Sequence, residues 1–190
     1  HLSFYSLTVE ERSLFFVRRE SPAEASRPDL YETARDAVVS AGLAQYEISN
    51  FARPGKESAH NIHTWQGGEY IGLGMGAHSH IDGVRSWNAD TLPRYLAMMR
   101  ENGSARTGEE RLPPRRKMME AVLFGLRMNA GVDIAAAQKR YGAVLTPAQQ
   151  KEFASLASSG FLTESNGCVR ATDRGRLVLD EIAARLIEGE

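Results

Sequence analysis

Residues 60–65 read His60-Asn61-Ile62-His63-Thr64-Trp65, two imidazoles and an indole within six positions, with Glu57 and Glu69 nearby. Imidazole ligates haem iron or zinc, and a flat aromatic neighbour suits the face of a porphyrin. Zinc is the weaker reading, because no third and fourth ligand stand at a recognisable spacing. The same residues would also serve an irregular loop, with the histidines satisfying backbone groups and Trp65 packed beneath, and spacing alone leaves both readings open.

Further chemistry-bearing residues crowd around this core. Residues 46–80 hold four of the five histidines, one of the two tryptophans and a run of glycines. Gly72-Leu73-Gly74-Met75-Gly76-Ala77 resembles a nucleotide loop only superficially, since a dinucleotide fingerprint needs a further glycine and a following helix. Close approach of backbone to a flat ligand or a neighbouring strand explains these glycines better, with tight packing alone as the alternative. His78 and His80 share one face of a predicted strand. Arg53 has the planar fork for a carboxylate or phosphate, or else is a solvated member of a turn held by Asn50.

The elements that must position these groups follow from periodicity. Residues 2–7 alternate like a buried strand, residues 29–41 repeat apolar positions at helical spacing up to Gly42, and residues 43–48 form a second strand. Strand, helix, strand is the unit of a parallel α/β layer, whose functional loops follow the C-terminal strand ends. Residues 49–65 are therefore expected as a functional loop. Asp82-Gly83 marks a hairpin between residues 77–81 and 84–87. Thr91 starts a helix that Asn102-Gly103 ends, and a polar linker follows over residues 104–111.

From Pro113 the pattern turns helical. Met118, Met119, Val122, Leu123 and Leu126 form an apolar stripe, and a shorter helix is predicted over residues 131–141 with Asp133 near its cap. Thr146-Pro147-Ala148-Gln149 is a capping-box start for a helix ending at Gly160. A short hairpin over residues 161–163 and 168–171 precedes a last helix capped by Asp173. Helix, hairpin, helix outlines a winged-helix module, and the domain boundary is expected near Gly108.

Bulk properties narrow the function classes. Lys and Arg number 23 against 24 Asp and Glu, a net charge of -1 that leaves no electrostatic footprint for nucleic acid. Residues 146–190 carry five basic and seven acidic side chains, which disfavours a DNA-reading wing. The single cysteine, Cys168, cannot form an intrachain disulfide or supply the thiolates of an iron–sulfur cluster, and a reducing, cytoplasmic setting fits. No apolar run approaches the roughly 20 residues of a membrane span. The chain opens directly on a strand-like segment, and a longer parent is expected.

Three segments, YEISNFARPG, HNIHTW and GGEYIGLGMGAHSH, together resemble the oxygen-independent coproporphyrinogen III oxidase-like radical S-adenosylmethionine (SAM) proteins, especially the HemW-type haem chaperones. HLSFYSLTVE, MMEAVLFGLRMNAGVD and LASSGFLTESNGCVRATDRG are similar to that family's corresponding segments, in the family's order. The resemblance implies an α/β fold. Residues 1–108 would be the C-terminal portion of a partial (β/α) radical SAM barrel, and residues 109–190 a mainly helical, winged-helix-like C-terminal domain.

It also implies roles. His60, Asn61 and Trp65 match the family's HNxxYW haem motif, with His60 as the iron ligand and Thr64 where the family has tyrosine. Ser6 and His78 sit where oxidase relatives approach SAM, with Gly74 and Gly76 in that vicinity. The family's CxxxCxxC motif is absent from this sequence. SAM and a 4Fe-4S cluster are thus expected in a full-length parent, and this chain alone is expected to be inactive.

The expected function is haem binding and delivery, with haem or a porphyrin and a haem-acceptor protein as partners. A second copy bound through the truncated barrel edge is a further expected partner, and nucleic acid and an integral membrane segment are not expected. The alternative within the family is a coproporphyrinogen III oxidase, which removes two propionate carboxyl groups. From another class, the alternative is a winged-helix regulatory or protein-interaction module.

Overall fold

The computed structural model describes residues 1–5, 7, 9, 11, 13–18 and 27–188. Ser6, one of the SAM-contact candidates, lies outside the described residues.

The first layer is a sheet of β1 (Leu2–Ser3), β2 (Ala44–Glu47) and β3 (Asn50–Ala52), in the order β1-β3-β2. Both outer strands run antiparallel to β3. They therefore share a direction, as a strand–helix–strand unit requires, but β3 separates them. The loop expected from residue 49 begins instead as this strand, and all three of its residues are buried. Phe51 explains why: it is fully buried and stacks on Phe4 with ring centroids 5.0 Å apart. β1 stops at Ser3 and is exposed, shorter than the buried strand expected over residues 2–7.

Among the described residues, two helices lie between β1 and β2 in sequence. A single turn, α1 (Leu14–Val17), is capped by Ser13, whose hydroxyl accepts from the Phe16 N–H. The longer α2 (Arg27–Ser40) is held to the sheet through Tyr31. Its hydroxyl donates to the Ile48 carbonyl at 2.7 Å and accepts from the Gln45 side-chain amide at 2.8 Å.

The histidine segment itself is helical. Residues Ala59–Trp65 form α3, with the Ser58 hydroxyl accepting from the Asn61 N–H as its N-cap. Irregular-loop geometry is thereby corrected for His60 to Trp65. The turn Asp82-Gly83 has both residues at positive φ, 51° and 68°, and joins β4 (His78–Ile81) to β5 (Val84–Asn88) as expected. Next comes α4 (Leu92–Asn102), ended by Gly103 in the left-handed region. The segment read as a polar linker is a third strand, β6 (Arg106–Glu110), paired with β5. Its polarity is that of an exposed sheet edge, which charge protects from further pairing. Gly108 lies within β6.

The main apolar core lies beyond residue 112. It gathers Met118, Met119, Val122 and Leu126 of α5 (Pro114–Arg127) with Phe153 and Leu156 of α7 (Pro147–Ser158) and Ile182 and Leu186 of α9 (Leu179–Glu188). The capping box at Thr146 and Gln149 forms as read. The Gln149 side chain, fully buried, also donates to the Leu186 carbonyl at 3.1 Å.

Between these helices, β7 (Val132–Asp133), β8 (Leu162–Ser165) and β9 (Cys168–Ala171) pair in the order β7-β9-β8. Asp133 caps α6 (Ile134–Tyr141). The helix expected over residues 131–141 thus starts later, after a short strand. The final cap is Thr172, with Asp173 in the first turn of α8 (Asp173–Leu177), and the expected last helix is split into α8 and α9.

One buried carboxylate connects the two parts. Glu47 is fully buried; its carboxylate accepts from the Ser49 N–H at 2.7 Å and the Asn50 amide at 2.5 Å. The Arg127 guanidinium, from the end of α5, reaches it at 3.5 Å. Alongside, Asn129 donates from its backbone to the Tyr46 carbonyl and from its side chain to the Gln45 carbonyl.

Two outcomes follow for stability. Glu47→Ala leaves two buried donors and part of a cation unpaired, and denaturant unfolding should show a loss of about 3 kcal/mol, with Glu47→Gln costing clearly less. Burial raises the Tyr31 hydroxyl above its usual pKa, with the Gln45 hydrogen bond opposing. A raised folded-state value leaves stability intact below about pH 10 and erodes it as pH rises through the folded value. Melting followed from about pH 8 to 11 should decline less steeply in Tyr31→Phe than in the parent, although the variant is weaker at neutral pH by about 1 kcal/mol.

Candidate functional site

A cavity of about 550 Å³ opens between the end of α3, the β4–β6 sheet, α5 and α6. That volume lies within the range of small-molecule sites. Strand alternation turns His78 and His80 of β4, and Arg85 of β5, into it.

Helix α5 is two-faced. Met118, Met119, Val122 and Leu126 enter the core, while Lys117, Ala121 and Phe124, at i, i+4 and i+7, line the cavity. Helix α6 ends there with Arg140 and Tyr141.

The aromatic wall is held in place. The Trp65 indole meets the Phe124 ring edge-on at 5.5 Å, and the Arg127 guanidinium lies 4.4 Å from the indole centroid. Arg85 pairs with Glu110 at 3.0 Å and Glu120 at 2.7 Å, tying β5 to β6 and α5. The hydrogen bond that Arg85 donates to Glu120 raises the Arg85 pKa above its usual value, against partial burial.

The histidines fall into distinct roles. His63 Nε2 is engaged by the Glu69 carbonyl at 2.9 Å, with its ring against Gly68. His80 Nδ1 lies 3.3 Å from the Gly68 carbonyl, and the His78 ring lies 5.9 Å from that of Trp87. His60 is exposed, its imidazole makes no hydrogen bond to a described residue, and it does not line the cavity.

The structure therefore regroups the candidates. Trp65 and His78, read from the sequence for two different cofactors, share one cavity. His60 and Trp65 are five residues apart on α3, about 140° around its axis, and face different ways. Asn61 turns its amide to the Tyr46 hydroxyl at 3.5 Å, which His1 also contacts at 2.9 Å. Gly74 and Gly76 lie before β4 outside the cavity; both take positive φ with open space around them, so backbone conformation is what requires glycine there. Close approach is instead the role of Gly72, where a Cβ would fall 2.1 Å from the His78 carbonyl oxygen. Arg53 is exposed and makes no ion pair among the described residues.

Lys117, Phe124, Arg140 and Tyr141 escaped the reading of the sequence. The apolar stripe of α5 absorbed attention, although Lys117, Ala121 and Phe124 repeat at helical spacing beside it and mark a second face. Nothing local links α6 to α3.

A 4Fe-4S cluster does not fit these residues. Among the described residues no group of three or more His, Cys, Asp or Glu is placed to hold a metal, and Cys168 stands alone on β9. Haem asks for less, an imidazole free to ligate and a flat apolar wall. His60 and the Trp65–Phe124 pair meet those two requirements separately.

Comparison with known proteins is consistent across the chain. Residues 112–178 match the family model described as the HemN C-terminal domain. The heme chaperone HemW of Bacillus subtilis is 32% identical over 187 residues, 96% of this chain and 49% of that protein. The chain belongs to the HemW/HemN-like radical SAM family. It corresponds to the family's C-terminal part and spans about half the length of the curated relatives it matches.

The heme chaperone HemW of Mycobacterium tuberculosis is 32% identical over 98% of this chain and 47% of its own length. Radical S-adenosyl methionine domain-containing protein 1, mitochondrial, of Danio rerio is 34% identical over 70% of the chain and 34% of its length. Among solved structures, the coproporphyrinogen III oxidase HemN from Escherichia coli, a radical SAM enzyme, matches with a TM-score of 0.71 at 19% identity, over 88% of this chain and 42% of that one. That match shows the fold, an α/β arrangement with a helical C-terminal part.

The position of Gly72 gives a direct check on this geometry. Gly72→Ala must push back β4 at His78 and should cost about 1–3 kcal/mol in denaturant unfolding, whereas an alanine at exposed Leu73 should change stability little.

Proposed function

We propose that this chain is the haem-handling C-terminal part of a HemW-like protein that binds haem as cargo and passes it to an acceptor protein. The observation that carries the reading is the pairing of an exposed imidazole at His60, without a hydrogen-bond partner among the described residues, with an aromatic-walled cavity at the other side of the same helix. Haem bound by this chain would supply an iron that an imidazole can ligate. His60 would offer its imidazole to that iron at an outward position on α3, and Trp65 and Phe124 offer, on the cavity side of the same helix, a flat surface for the macrocycle at a second, deeper position. Asn61, next to His60, donates its amide to the Tyr46 hydroxyl at 3.5 Å and so ties the start of α3 to β2.

The oxidase alternative is less well supported. The relatives at about 30% identity over nearly the whole chain carry the chaperone name, whereas the oxidase is similar at 19%. SAM and the cluster would be held by a full-length parent, in a cytoplasmic setting. Among the described residues no helix is long and apolar enough to cross a membrane. The outer edge of β1 has no strand partner among the described residues, and it would accept the rest of a barrel or a second copy.

Titrating haem into the chain should produce a red-shifted Soret band that saturates near equimolar haem and is diminished by His60→Ala. A band identical in the parent and in His60→Ala would remove His60 from the reading, and no spectral change in a full-length, cluster-loaded protein would overturn haem binding altogether.

A further inference from the structure

We propose that Lys117 and Arg140 form a carboxylate clamp in the cavity beside Trp65, so that the cavity takes a flat, multi-ring aromatic acid as its carboxylate and not as its ester. This inference rests on the tetrapyrrole reading above and adds which groups of the cargo are recognised.

The charges lining the cavity divide into engaged and free. Glu110 and Glu120 are both taken by Arg85, and the Glu69 carboxylate accepts from the Asp82 N–H at 2.7 Å. Two cations remain. Among the described residues neither Lys117 nor Arg140 has a carboxylate within ion-pairing distance. Arg140 gives one N–H to the Gln66 carbonyl at 3.4 Å and lies over the Tyr141 ring, leaving donors of its fork unused. Lys117 reaches the hairpin turn, where a Cβ on Gly83 would lie 2.6 Å from its Nζ. Gly83 therefore serves the turn and also leaves the ammonium its space.

The formal charges of the lining balance: Arg85, Lys117 and Arg140 against Glu69, Glu110 and Glu120. No general field draws anions in. Recognition must come from two placed donors, which favours carboxylates at defined positions on the ligand. Size follows from α5: Lys117 and Phe124 are seven residues apart, about 10 Å along the axis. A ligand that meets Lys117 and still lies on the Phe124–Trp65 wall must be longer than a single ring.

The test uses an iron-free porphyrin, mesoporphyrin IX, and its dimethyl ester, both delivered in the same mild detergent to the 190-residue chain. Without iron, His60 has nothing to ligate. Binding is read from tryptophan quenching and porphyrin anisotropy. The diacid should bind at least about tenfold tighter than the ester. Lys117→Ala and Arg140→Ala should each lose about tenfold for the diacid and little for the ester, with Lys117→Arg largely restoring binding. Circular dichroism and melting of each variant check that the fold is retained.

Equal affinity for diacid and ester, or variants that bind the diacid as the parent does, overturns the clamp. If haem still shows a His60-dependent Soret band in that case, the clamp falls and the haem reading stands. Clamp-dependent porphyrin binding with a haem spectrum indifferent to His60 keeps the clamp and removes His60 alone, and clamp-dependent porphyrin binding with no haem spectrum keeps the clamp while the haem reading falls. Failure of both porphyrin and haem to bind brings down both.

Discussion

The fold turns on a single buried carboxylate. Glu47 sits at the turn between β2 and β3, where it satisfies the Ser49 and Asn50 donors that a tight buried turn exposes. Its second oxygen draws in Arg127 from the last turn of α5. Arg127 in turn lies on the Trp65 indole. One charge thus links the first sheet, the main core helix and the helix that carries the histidines. Coulombic attraction at 3.5 Å in a partly exposed pair is a modest contribution by itself; the larger effect is that the buried Ser49 N–H and Asn50 amide would otherwise lose the acceptor they share.

The cavity is a consequence of that link. Helix α5 presents one face to the core and another to β4–β6, so any shift of α5 moves Lys117 and Phe124 relative to Trp65. Arg85 resists such a shift by holding Glu110 on β6 and Glu120 on α5 together. The wall of the site is therefore set at two points along one helix, by Arg127 at its C-terminus and by Glu120 in its middle. Preorganisation of this kind lowers the ordering cost when a rigid, flat ligand enters.

Local chemistry was legible in the sequence, and long-range pairing was not. Asp82-Gly83 and the capping box at Thr146 are self-contained signals, since each satisfies its own backbone groups within a few residues, and both formed as read. β3 escaped because three residues are too few to show a period; its strand character depends on Phe4 and on pairing with distant β1 as well as with neighbouring β2. β6 escaped because an edge strand has the composition of a linker. The α3 helix was hidden by its asparagine, threonine and histidines, all modest helix formers, although Ser58 supplies the cap that starts it. Concentration of histidine and tryptophan pointed to the right neighbourhood, but the partition of that neighbourhood between the outer and inner sides of α3 depends on α5 and α6, more than fifty residues away.

That partition bears on what a delivery protein must do. A ligand sealed among aromatic walls with its metal also ligated inside would leave slowly, since every contact must break before release. Here the His60 imidazole and the aromatic surface lie about 140° apart around α3. They cannot both be met by one planar ligand lying flat in the cavity. On the proposed function, His60 therefore marks a shallow, outward position for haem and the cavity a deeper one for the macrocycle. The exposed position of His60 is then the side from which an acceptor, offering its own imidazole or thiolate, can take over the iron by ligand exchange without first opening the core.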